Sequence, residues 1–146
     1  MSALDPSWRP PHAYIPGKTP RHPDTLFEPL KAALDLETPE ACTVWRLALS
    51  FIEDGYFWEA HELLEAIWMG LPDGSADKLA VQALIQFANG KLKLEMERPK
   101  AAAKLVTLSE RLLADALSRT GAHLSIYVKQ TKILVKGKIM HKNSKI

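Results

Sequence analysis

Apolar residues recur along this chain at helical spacing, and helix breakers fall between the periodic stretches. Thr25 and Glu28 make a capping box, after which Phe27, Leu30 and Leu34 form an apolar stripe, predicting a first helix. Thr38, Pro39 and Glu40 follow in the order of cap, first-turn proline and N-terminal acid. They predict a second helix with Trp45, Leu49 and Ile52 on its buried face and Gly55 at its end. A third runs from about Tyr56 to Met69, closed by Gly70 and Pro72. Ser75 then caps a long fourth helix from Ala76 to about Glu97, apolar on most sides and therefore central. Its last stretch, Lys91 to Glu97, alternates with period two but holds no breaker and only strong helix formers, so it reads as helix. Pro99 starts a fifth helix, with Ala102, Leu105, Leu108, Leu112 and Leu113 on one side, stopping near Gly121.

The expectation is an all-α fold, a compact bundle of about five helices whose core is built from Trp45, Leu49, Trp58, Leu64 and Leu84. The first 24 residues hold six of the ten prolines, which excludes helix there and predicts an extended strap. Its Trp8, Tyr14 and Ile15 give it a reason to lie on the body. Residues 1–24 are thus read as strap, 25–121 as the helical domain and 122–146 as a basic tail. In the tail, Ile126-Tyr127-Val128 and Ile133-Leu134-Val135 suit a strand, while Leu124, Val128, Thr131 and Val135 suit a helical face.

The length of 146 residues fits one domain, and 47% hydrophobic with 25% charged residues excludes disordered and disulfide-scaffold classes. The net charge of +2 hides a division: no acid follows Asp115, so the last 31 residues carry seven cations on a body of charge −5. Such a tail is either a solvated terminus or a docking element for nucleic acid or an acidic partner. The single Cys42 lies among Ala41, Val44 and Trp45 and reads as a small core residue. No apolar stretch approaches the ~20 residues of a membrane span and no leader pattern is visible, so the chain is expected to be cytoplasmic.

The candidate chemistry lies on the third helix. At 100° per residue, Leu63, Ile67, Ala60, Leu64 and Phe57 fill one arc, while Glu59, Ala66 and Glu62 fill the opposite, solvent-facing arc. His61, Glu65 and Trp68, at i, i+4 and i+7, fall on the boundary beside Trp58. An imidazole and a carboxylate one turn apart can share a divalent metal ion or pass a proton, or form a structural hydrogen bond. The order His61-Glu62 begins like a zincin motif, but Glu65 stands where the second His belongs. On the fourth helix Gln82, Gln86, Asn89 and Lys93 make a polar stripe that faces either water or the third helix. In the second case Gln86 and His61 line one cleft.

These residues resemble a known family. His61-x-x-x-Glu65-x-x-Trp68, preceded by Gly55 to Ala60 and followed by Gln82-Ala83-Leu84-Ile85-Gln86, is similar to the helical bacterial and archaeal proteins grouped as domain of unknown function 309. The likeness runs from about residue 15, with Pro16 to Pro23 of the strap, to about residue 115. It implies a compact all-α fold and a metal-binding role for the HxxxExxW motif, and no established reaction. Where family members often carry a Gly before the Leu-Ile-Gln segment and a His one or two turns after it, this chain has Ala83 and Lys93. Arg21-His22 of the strap is then the candidate for a replacement ligand.

The reading is a small binding or accessory domain. Its ligand pocket is expected at Trp58, Trp68, Gln82, Gln86 and Asn89, with His61 and Glu65 as ligands of a divalent metal ion. A metal-assisted hydrolase or lyase using His61 and Glu65, and a scaffold whose basic tail docks on nucleic acid or an acidic partner, stand as alternatives.

Overall fold

The computed structural model describes residues 5–38, 41–121 and 123–140 and is all-helical. Six helices follow in chain order: α1 (Glu28–Ala32), α2 (Thr43–Asp54), α3 (Phe57–Met69), α4 (Ala76–Glu95), α5 (Pro99–Ser118) and α6 (Ile126–Met140). No helix among the described residues is long and apolar enough to cross a membrane.

The starts of the first two helices differ from expectation. Thr25 caps nothing: α1 begins at Glu28 behind Phe27, with Pro29 in its first turn and no side-chain cap. Proline's fixed φ suits that first turn, whose amide would be unpaired in any case. Thr38 does not cap α2 either: it lies five residues before the helix, and its hydroxyl donates to Asp35 Oδ2 at 2.6 Å. The helix starts at Thr43 behind Cys42, which is buried, and the expected Pro39 and Glu40 signals lie outside the described residues. Its far end is as expected. Gly55 takes φ 88°, a left-handed value open to glycine, and the chain reverses with Tyr56 N–H donating to Phe51 O at 2.8 Å.

The long α4 is the centre of the fold and packs against α3, α5 and α6. Ser75 caps it by accepting from Lys78 N–H, and Val81, Leu84, Phe87 and Ala88 are fully enclosed. At Gly90 the crossing with α5 is so close that a Cβ would meet Val106 Cγ2 at 3.1 Å. Ser109 of α5 adds a buried hydrogen bond to Ala83 O at 2.7 Å. Trp45, Leu64 and Leu84 are core residues, whereas Leu49 and Trp58 are only partly buried, packed on the core's edge. Where the tail sequence left strand and helix open, the stretch from Ile126 is a helix. Ser125 accepts from Val128 N–H at its start, and Tyr127, Val128, Thr131 and Val135 are buried. Tyr127 meets the Trp45 ring edge-on at 4.8 Å, and Trp45 Nε1 donates to Gln130.

The strap, in extended stretches and turns, crosses the α2–α3 corner. Trp8 packs against Phe27 and Phe51 with ring centroids 6.3 and 6.2 Å apart. Arg9 donates twice to Asp54 Oδ2, at 2.9 and 2.7 Å, and Lys18 pairs with Glu97 at 3.0 Å.

Candidate site on the third helix

Glu59 lies buried on α3. The helical wheel places it on the solvent arc, yet its side chain is 0% exposed because the strap lies over that face. His22 Nε2 approaches Glu59 Oε2 at 2.6 Å with a side chain 2% exposed, and Tyr14 N–H donates to the same oxygen at 2.6 Å. Glu59 Oε1 is buried with no hydrogen-bond partner among the described residues. His12 stacks on His22 at 4.6 Å and anchors itself through Nε2 to Pro20 O. His22 of the strap therefore reaches α3, but it pairs with Glu59 and not with the His61 cluster. A signal existed in the sequence: five basic residues in a strap rich in aromatics and proline need acidic receptors on the body.

Trp58, which precedes Glu59, is half-buried between the strap and His61. Its ring contacts Tyr14 at 5.1 Å, His22 at 6.0 Å and Phe27 at 6.2 Å on the strap side, and His61 at 5.9 Å. The Arg21 guanidinium lies 5.9 Å from the same ring. The Trp58 carbonyl, one turn before His61, fixes the imidazole: a carbonyl only accepts, so His61 Nδ1–H is the donor across their 2.8 Å contact.

That assignment points His61 Nε2 at two carboxylates, Glu65 Oε1 at 3.3 Å and Glu62 Oε2 at 3.6 Å. One ligand atom from each of His61, Glu62 and Glu65 lies within 4.8 Å of the others, with His61 and Glu62 half-buried and Glu65 exposed. Three lone-pair donors so arranged repel one another unless a positive charge sits among them: a proton on Nε2 or a metal cation. Glu62, placed on the solvent arc by the wheel, thus joins the expected pair His61 and Glu65. A positive charge is already near. Lys31 of α1 brings Nζ to 3.5 Å from Glu62 Oε1.

Trp68 turns toward the start of α4, where Lys78 Nζ stands 4.2 Å from its ring centroid, and Trp68 Nε1 is buried without a hydrogen-bond partner among the described residues. Lys78 also pairs with Asp73 at 2.8 Å, and this ammonium holds the Asp73 carboxyl below its ordinary value by hydrogen bond and charge. Gln82, Gln86, Asn89 and Lys93 are half-exposed along α4, and none hydrogen-bonds to His61 or Glu65 among the described residues.

Comparison with protein families matches residues 45–105 to a domain of unknown function, DUF309. The matched stretch runs from α2 into α5 and contains all of α3. Neither the curated proteins nor the solved structures give a match.

Proposed function

We propose that this chain, whose residues 45–105 match the DUF309 family, is a small binding domain holding a divalent metal ion at His61, Glu62 and Glu65. One observation carries this reading: the Trp58 carbonyl fixes the His61 tautomer so that Nε2 faces two carboxylate oxygens. A backbone hydrogen bond on the far nitrogen is the usual means of orienting a ligating imidazole. One nitrogen and two carboxylate oxygens suit Zn²⁺, Mn²⁺ or Fe²⁺. Three protein donors leave coordination positions open, so an exogenous ligand has room at the metal. Trp58 forms the wall beside it, and Trp68, Gln82, Gln86 and Asn89 are proposed as the remaining lining along α3 and α4.

The test is metal content after equilibrium dialysis of chelator-treated protein against about 10 μM Zn²⁺ or Mn²⁺, a concentration that fills sites of micromolar affinity. Retention near one equivalent in the wild type, lost in Glu65→Gln, is the expected result. Retention of less than a tenth of an equivalent, or equal retention by the variant, overturns the reading.

A further inference from the structure

We propose that Lys31 is a built-in counter-cation of this site, and that a metal-bound small oxyanion, phosphate or carboxylate, takes up the ammonium once the metal displaces it. The inference rests on the cation site proposed above and names the class of its second ligand. Glu62 is the shared element. Its Oε2 faces His61 Nε2 at 3.6 Å, while its Oε1 faces Lys31 Nζ at 3.5 Å. The two oxygens of one carboxylate therefore belong to two different positive centres. A lysine ammonium is a compact point charge on a flexible stem, and the Lys31 side chain is 42% exposed, so it is free to move. In the metal-free protein it compensates Glu62. A divalent ion on the same carboxylate repels the ammonium and withdraws the negative charge that held it.

The displaced ammonium is left beside a metal with open positions. The group that satisfies both is an anion able to give one oxygen to the metal and another to the lysine, which phosphate and carboxylate do. α1 holds Lys31 near by packing against α3, with Leu30 fully buried next to it, so the lysine stem starts from a fixed point. Cation and anion are consequently linked with opposite dependence on Lys31. Removing its charge should tighten the first and weaken the second.

The experiment compares wild type with Lys31→Gln and Lys31→Arg, using Mn²⁺ followed by electron paramagnetic resonance at low ionic strength. Inorganic phosphate or acetate is then titrated into the Mn²⁺-loaded proteins. Lys31→Gln should bind Mn²⁺ about two- to five-fold more tightly, the range set by a partly exposed ion pair. Its loaded form should bind the oxyanion at least about ten-fold more weakly, as expected for loss of a charge-assisted hydrogen bond. Lys31→Arg should keep wild-type behaviour in both. Tighter binding of phosphate than of acetate assigns a phosphate-bearing ligand, and the reverse order a carboxylate. If wild type and Lys31→Gln bind Mn²⁺ equally, or bind the oxyanion equally, Lys31 has no such role and this inference alone is overturned. Absence of Mn²⁺ binding in every variant overturns both it and the cation site.

Discussion

His22→Ala is the most informative single change outside the cation site, because the pair it breaks is fully enclosed. His22 and Glu59 have side chains 2% and 0% exposed, and the imidazole supplies one of two hydrogen bonds to Glu59 Oε2. With it gone, Tyr14 N–H is the carboxylate's one remaining partner among the described residues, where its other oxygen has none. Removing one member of a buried pair and stranding its charge costs about 3–5 kcal/mol. With a urea m-value of about 2 kcal/mol/M for a domain of this size, the denaturation midpoint should fall by roughly 2 M. Far-UV circular dichroism reads that shift, and Trp58 fluorescence reports the strap, since the indole touches both Tyr14 and His22. Adding Glu59→Leu should recover part of the loss, because the double variant no longer buries an unpaired charge. A cost of less than about 1 kcal/mol for His22→Ala would refute the argument, for the strap would then contribute little to the fold.

Three further outcomes follow from burial and charge. Leu84 is fully enclosed on the central helix, and Leu84→Ala should cost about 2–5 kcal/mol by urea denaturation. Tyr127, 2% exposed and packed on Trp45, ties α6 to the body, so Tyr127→Ala should cost about 3–5 kcal/mol in the same assay. The Asp35 carboxyl lies below its ordinary value of 3.8, chiefly through the Thr38 hydroxyl and then the Thr38 amide. With the native value depressed, the unfolded chain takes up the proton first. Asp35's contribution is therefore complete above 3.8 and lost as the pH falls through the native value. Asp35→Asn should flatten the fall in thermal midpoint between about pH 5 and pH 2.5, and an unchanged slope would contradict the assignment.

The bundle was legible because its long helices carry their own periodicity. Leu63, Leu64 and Ile67 share an arc that only a core explains, and Ser75, Pro99 and Gly55 mark boundaries through local chemistry that tertiary structure does not alter. Glu59 was misplaced for the converse reason: a helical wheel shows which face is polar but not whether another segment covers it. The strap does so with His22 and Tyr14, from 37 and 45 residues away. Thr38 matched a capping pattern, but its hydroxyl turns back to Asp35, three residues earlier, and α2 begins only at Thr43. α6 fitted two periods because Val128, Thr131 and Val135 are β-branched, and its contact with α4 favours helix. At the candidate site the spacing of His61 and Glu65 puts them together on one face. The carbonyl that fixes His61, and Lys31 beside Glu62, depend on rotamer and on the packing of α1, which spacing does not encode.

Whether His61, Glu62 and Glu65 hold a divalent cation is decided by calorimetric titration of chelator-treated protein with Zn²⁺, Mn²⁺, Fe²⁺ and Ni²⁺. The wild type should bind at least one of them with Kd below about 100 μM, and His61→Ala and Glu65→Ala should each abolish that binding. Weaker binding of every ion by the wild type, or undiminished binding by His61→Ala, would contradict that cation site and leave His61 and Glu65 as a side-chain contact one turn apart on α3.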